Sequence, residues 1–319
     1  DPANRPVFKS YAMASLSNYA ASTLQGTFTT YDALGRVVQV KQDWEGTGQL
    51  TTTTAYLRNA EGPYNQLTNP RGRITRTWYR AFNEPSYDTP WRIQHDNGYA
   101  YTDLNRNIHD KLTSLVRRKG DGTYSLTRSY SYNAFQELCR AVEPETGATL
   151  MGYDGAGNLT WSASGLPAST ACHATGNTTV INARKAVRSY DARNRLKTLT
   201  FPGDGLGNQT WTYWPDGLPN TVTTRNDTAG AQQTINSYTY NRRRLPTRET
   251  LKFGTVLTWP VDYVYNGSGH LASLNWHGLS VNYAPNALGQ PTQAGSYATG
   301  VTYHPNGSIK TLVYGNGIS

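Results

Sequence analysis

One short pattern returns along the chain and limits what it can fold into. It is a tyrosine, a polar residue, two variable residues, glycine or asparagine, a polar residue, then an apolar residue that opens a short strand. It reads Tyr31-Asp32-Ala33-Leu34-Gly35-Arg36-Val37, Tyr153-Asp154-Gly155-Ala156-Gly157-Asn158-Leu159 and Tyr190-Asp191-Ala192-Arg193-Asn194-Arg195-Leu196. Further copies are Tyr240-Asn241-Arg242-Arg243-Arg244-Leu245, read as shortened by one, and Tyr265-Asn266-Gly267-Ser268-Gly269-His270-Leu271. Weaker copies begin at Tyr132, Tyr213, Tyr283 (with Gly289) and Tyr303 (with Gly307). The starts define a degenerate repeat of roughly 20–25 residues.

Each copy reads as a β-hairpin. Asp, Asn, Gly and Pro cluster where a turn needs positive φ or a side chain that bonds its own backbone. The flanks alternate as strands do: Leu196, Thr198 and Thr200 fall on one face, and Lys197, Leu199 and Phe201 on the other. Short strands at even spacing predict an all-β architecture. Residues 28–319 form the repeat strip, with residues 1–27 as a lead-in segment or small cap and an inserted Ala/Ser/Thr-rich loop near 162–185. Within 102–119, Leu104, Ile108, Leu112, Leu115 and Val116 also sit at helical spacing. The hairpin reading is preferred there, with Tyr101 to Ile108 as its turn, because both neighbours are β.

Composition narrows the class. Only 16% of residues are charged, which argues against a charge-driven disordered chain. The 30 glycines follow no three-residue period, which excludes collagen. No apolar run approaches ~20 residues, so no transmembrane helix is expected. Hydrophobic residues make up 37% against 23 tyrosines, a balance that suits a thin wall better than a thick core. The net charge of +9 would suit acidic glycan or an acidic partner, but the basic residues are dispersed. In the Arg71–Arg80 stretch, alternation puts Arg71 and Arg73 on one face and Arg76 and Arg80 on the other. That splits the patch, so no nucleic acid is expected as a partner.

Two cysteines, Cys139 and Cys172, lack the spacing of a zinc site. They could form one disulfide in an oxidising compartment or stand as two buried thiols. The sequence begins at Asp1, and a processed chain or a piece of a longer one is expected.

These residues carry a resemblance. Tyr31-Asp32 with Gly35-Arg36, Tyr153-Asp154 with Gly157-Asn158, and Tyr190-Asp191 with Asn194-Arg195 resemble the YD repeats of bacterial RHS-repeat proteins. The shells of Tc toxin complexes and teneurins share that repeat class. The resemblance covers about residues 28–319. It implies a β-sheet wound spirally, part of a hollow RHS/YD-repeat shell. It implies a structural role: encapsulating or displaying a C-terminal toxin or effector in a secreted or cell-surface bacterial protein. The implied partner is an enclosed effector polypeptide, further repeats, or copies of the same chain. In the family the shell ends in an acidic self-cleavage motif, which has no counterpart here. A closed shell also needs more repeats, so a section of a larger shell or a self-assembling partial shell is expected. Tyr31, Asp32, Gly35, Arg36, Tyr153, Asp154, Gly157, Tyr190, Asp191, Arg195, Tyr240, Tyr265, Gly269, Tyr283, Gly289, Tyr303 and Gly307 are the structural repeat positions.

The six histidines form no His-x-x-x-His pair, and His270 and His304 read as solvated turn residues. There is no nucleophile elbow or phosphate loop, and no cofactor or metal is expected. Asp204 and Asp216 read as turn residues. The sequons at Asn158, Asn177, Asn208, Asn226, Asn266 and Asn306 mostly coincide with turns that favour Asn anyway. His95-Asp96-Asn97 with Tyr99 and Tyr101 holds the residue types of a base, an acid and a charge neutraliser for β-elimination on an acidic polysaccharide. The alternatives to a shell are therefore a glycan-binding or adhesive module, or a polysaccharide lyase.

Overall fold

The computed structural model describes residues 1–11, 26–43, 48–80, 88–172, 178–230, 232–255, 257–304 and 307–318. Strand makes up 57% of the chain and helix 2%. The all-β expectation therefore agrees with the structure. The chain divides into two compact units, Asp1–Ser131 with Ala141–Glu145, and Tyr132–Arg140 with Thr146–Ser319.

In the first unit each strand pairs antiparallel with the next in chain order. The ladder runs Phe8–Ser10, Gly26–Tyr31, Val37–Asp43, Gln49–Asn59, Gly62–Thr68, Ile74–Tyr79, Pro90–His95, Ala100–Arg106, Leu112–Lys119 and then Ser125–Ser129. Its buried residues are few. Trp78 stacks on Tyr64 at 5.2 Å between ring centres, and its indole N–H donates to Asn59 Oδ1 at 3.3 Å. Residues 102–119 form a hairpin and not a helix. The strands on either side already present a hydrogen-bonded edge, and only an extended chain can complete it.

The second unit repeats the plan from Gly147–Tyr153 through Leu159–Leu166, Lys185–Tyr190, Leu196–Thr200, Gln209–Tyr213 and Pro219–Arg225. It continues through Gln233–Tyr240, Pro246–Phe253, Leu257–Tyr265, Leu271–Trp276 and Leu279–Asn282. A separate hairpin, Ala298–Tyr303 with Ile309–Tyr314, follows. Among the described residues no pairing joins the first strand of either ladder to its last, so neither closes into a barrel.

Hydroxyl pairs cross these strands on exposed or half-buried faces of the sheet. Thr212 meets Thr221 at 2.6 Å, Ser189 meets Thr198 at 2.6 Å and Thr239 meets Thr247 at 2.9 Å. Cross-strand pairs of this kind stabilise a sheet that has polar residues on its faces.

The densest packing lies around the connection that follows Leu159–Leu166. That strand takes in residues 162–166 of the expected loop, so the connection starts after Leu166. Leu150, Leu166 and Ile181 are buried there with Ala148, Ala163 and Cys139. Ile181 sits on a single helical turn, Thr179–Asn182, whose N-cap Thr178 accepts the Ile181 N–H. Cys139 and Cys172 are joined as a disulfide, with Cα atoms 5.5 Å apart. His173 and Asn177 lie outside the described residues.

A 33-residue separation between the cysteines should make the bond worth about 3–4 kcal/mol on the chain-entropy model. Reduction, or Cys139→Ser with Cys172→Ser, is expected to lower the urea midpoint of unfolding accordingly. An unchanged midpoint would show that the bond does not constrain the fold.

Candidate functional site

Among the described residues one five-residue turn recurs. It begins at Asp1, Asp32, Asn69, Asn107, Asn133, Asp154, Asp191, Trp214, Asn241, Asn266, Asn286, His304 and Tyr314. In each, the first residue's N–H donates to the fifth residue's carbonyl and the fourth N–H donates to the first carbonyl. Where the first residue is Asp or Asn, its Oδ1 also accepts the N–H groups of the third and fifth residues. In the Asp191 turn these come from Arg193 at 2.8 Å and Arg195 at 3.0 Å. One side-chain oxygen thus closes the turn over two otherwise free donors, which is why a short carbonyl-bearing residue stands there. The fourth residue has positive φ, as at Gly35 with 81° and Arg244 with 64°, so glycine is the usual choice.

In six of these turns a preceding tyrosine ties one hairpin to an earlier one. Its hydroxyl donates to the carbonyl of the residue just after the preceding turn. Tyr31 reaches Pro6 at 2.9 Å, Tyr153 reaches Leu138 at 2.8 Å and Tyr190 reaches Leu159 at 2.8 Å. Tyr213 reaches Leu196 at 2.7 Å, Tyr265 reaches Pro246 at 2.9 Å and Tyr303 reaches Pro291 at 2.6 Å. Tyr56 makes the same bond to Val37 at 3.2 Å from within a longer strand. Burial pushes the phenols of Tyr153, Tyr213 and Tyr265 above their ordinary value and so further favours the protonated, donating form.

The arginine of the pattern completes the tie. Arg36 Nε and Nη2 hold Asp32 Oδ2 at 2.8 and 2.7 Å, and Arg195 holds Asp191 at 2.7 and 2.6 Å. The guanidinium then lies over a ring of the next hairpin: Arg36 over Tyr56 at 4.1 Å, Arg195 over Tyr213 at 4.3 Å, and Arg5 over Tyr31 at 4.7 Å. The arginine beside it holds the Asp191 carboxyl down to about 2, with the Arg195 backbone N–H adding to the effect. Asp32 is lowered by Arg36 in the same way, and Asp154 by the amide of Asn158.

Several sequence readings are corrected by this geometry. The Tyr240 copy is full length: Arg244 takes the glycine's place and Pro246 opens the strand. Tyr283 does not start a turn. The turn runs from Asn286 to Gln290, so Pro285 stands in the tyrosine's place, while the Tyr283 carbonyl accepts the Thr292 N–H at 3.0 Å. Tyr101 lies within Ala100–Arg106, and the turn there is Asn107 to Lys111. The copies at Asn69 and Asn107 escaped the pattern because Thr68 and Arg106 replace the tyrosine, and the turn at Asp1 escaped it as well. At Asn69 and Asn107 the Asn-x-x-Gly/Asp spacing was the available signal. His270 is not a solvated turn residue. It occupies the arginine's place, its Nδ1 is buried without a partner, and its ring lies against Gly289.

The lyase constellation is not assembled. His95 pairs with Ala100, so Tyr101 projects to the opposite face of the sheet. Asp96 is held by Arg73 at 2.8 Å, and Asn97 Oδ1 accepts the Ile74 N–H at 3.0 Å. Arg76 of the basic stretch is held between Gln66 and Gln94. Asp204 and Asp216 each cap a turn N–H.

No protein-family model matches the sequence, and no curated protein matches it. Solved structures do. A crystal structure of TcdB2-TccC3 aligns with a TM-score of 0.55 at 12% identity, over 97% of this chain and 19% of that one. The chain has the fold of an RHS-repeat shell. The TcdB2-TccC3-Cdc42 crystal structure aligns at 0.53 and 12% identity over 91% of this chain and 18% of that one. The Photorhabdus luminescens Tc holotoxin pore aligns at 0.51 and 13% identity, with the same coverage. The chain spans about a fifth of the length of those chains. In this RHS-repeat fold the Tyr, Asp and Arg of the pattern are the parts that join one hairpin to the next. No helix among the described residues is long and apolar enough to cross a membrane.

Tyr190→Phe removes one tie and is expected to cost about 0.5–1.5 kcal/mol in urea unfolding. Asp191→Asn keeps the turn caps and loses the charge, while Asp191→Ala loses both and should unfold at the lower temperature. The Asp191 carboxyl titrates near 3.8 when unfolded and at about 2 when folded. Its stabilisation is therefore full above 3.8 and lost as pH falls through about 2. Between those values the stability of Asp191→Asn should fall less steeply than that of the unsubstituted protein, as followed by circular dichroism.

Proposed function

We propose that this chain is a section of the wall of a protein shell that encloses a polypeptide effector in a secreted or cell-surface RHS-type protein. The observation that carries the reading is the tyrosine-to-carbonyl tie. Where it recurs it joins one hairpin to an earlier one without a thick apolar core, so the same unit can be repeated into a thin wall. The likeness in fold to structures of Tc toxin complexes supports this. So does the Cys139–Cys172 disulfide, which suits an oxidising compartment. In this reading residues 28–319 are the wall. Residues 1–27 are a lead-in segment whose first residues, Asp1 to Arg5, already adopt the wall's turn. Further repeats of the same protein would complete the enclosure.

The test is made on the native gene product. Its intact mass and both terminal sequences are measured, followed by protease digestion with and without denaturant. The expected product continues into further repeats and a segment that resists protease until the shell is opened. A product lacking such a segment, or one whose extra segment is cut at once under native conditions, would overturn the proposal.

A further inference from the structure

A cleft of about 550 Å³ in the first unit is not used by the turn-to-turn ties. Its floor is one face of the sheet. The register places Thr102 opposite Arg117, Arg117 opposite Leu126, and Lys119 opposite Ala100, which faces His95. These residues therefore share a face. His95 Nε2 is fixed to the hydroxyl of buried Thr102 at 3.0 Å. The rim carries two phenol rings, Tyr99 and Tyr124, which are 68% and 74% exposed.

Both rings ride on braced backbone. The Tyr99 carbonyl accepts the Gly120 N–H at 2.8 Å, and the Tyr124 carbonyl accepts the Lys119 N–H at 3.0 Å, so the two are anchored to adjacent residues. Gly120 lies so close to the Gly98 carbonyl that a Cβ there would collide with it. The Tyr99 turn is held from the other side by Arg73 on Asp96 and by the Ile74 N–H on Asn97. The Tyr124 turn is held by Asp121, which caps Thr123 and pairs with Lys119 at 2.6 Å. Arg118 is committed to Asp103 at 2.9 Å. Arg117 is exposed and has no ion pair or side-chain hydrogen bond.

We infer that this cleft binds an acidic oligosaccharide, with the Tyr99 and Tyr124 rings against its sugar faces and Arg117 on a carboxylate. Exposed aromatic rings suit the apolar C–H faces of sugars. A free guanidinium takes a carboxylate with two parallel bonds. The braced turns leave little ordering to be done on binding. A polypeptide ligand is disfavoured because Ala100–Arg106 and Leu112–Lys119 are paired along both edges, leaving no open edge there for an extended chain to join. This inference is independent of the shell reading.

The whole chain is titrated by calorimetry with a galacturonate oligosaccharide, a neutral malto-oligosaccharide of the same length, a short poly-glutamate and single-stranded DNA. Binding of the galacturonate alone is expected, weakened about tenfold or more by Arg117→Ala and separately by Tyr124→Ala. Both side chains are exposed, so circular dichroism should show unchanged folding. Three outcomes overturn the inference: no galacturonate binding, equal or tighter binding of the neutral oligosaccharide, poly-glutamate or DNA, or galacturonate binding that neither substitution weakens.

Discussion

The fold depends on one repeated hydrogen bond, from a tyrosine hydroxyl to the carbonyl that follows the preceding turn. A backbone carbonyl has two lone pairs, and a donor from the next hairpin can use one without disturbing the ladder. The bond is longer-range than a turn contact and shorter-range than a core contact. It links Tyr190 to Leu159 and Tyr213 to Leu196, each one hairpin back. Because each tie reaches only the neighbouring hairpin, stability is built up unit by unit. That explains how so polar a chain holds so much strand with so few buried side chains.

The aspartate and arginine act on the same tie from its two sides. Aspartate shapes the turn so that the carbonyl sits at its mouth. Arginine neutralises the aspartate and covers the incoming ring. A lysine could pair with the aspartate but could not place two N–H groups of a planar head on one carboxylate oxygen and stack flat on the tyrosine. Where the arginine is absent, the chain uses other means. Asn158 bonds to Asp154 and across to Asn194 of the next turn at 3.0 Å, and His270 lays its ring on Gly289. Some of the positive charges that composition alone would assign to a ligand are held in internal ion pairs. Arg92 is held by Asp103 and Glu61, and Arg248 by Asp262.

Much of the fold was legible because the turn is local. Asp-x-x-Gly-Arg names its own hydrogen bonds, and the all-β reading follows from the spacing of such turns. The limits were also local. Thr68 and Arg106 hide two copies because the tyrosine is the conspicuous mark of the pattern, while the turn itself is made by the Asn that follows. Tyr283 misled for the same reason: a tyrosine near a turn is not evidence that it begins one. The candidate binding cleft was legible only in part. His95 and Tyr99 stand close together in sequence, but Arg117 lies on the second strand after them and Tyr124 beyond it.

The sequence by itself determined the turn type, the hairpin unit and the order in which hairpins pair. Each of these rests on interactions within a few residues or between consecutive strands. Tertiary structure decided which carbonyl the tying tyrosines reach, that Cys139 and Cys172 meet as a disulfide, and which arginines are paired. It also decided that His95 and Tyr101 face opposite ways while Tyr99 and Tyr124 flank one cleft. The physical reason is register. A shift of one residue between strands exchanges the two faces of a sheet, and local sequence carries too little information to fix that shift across several strands.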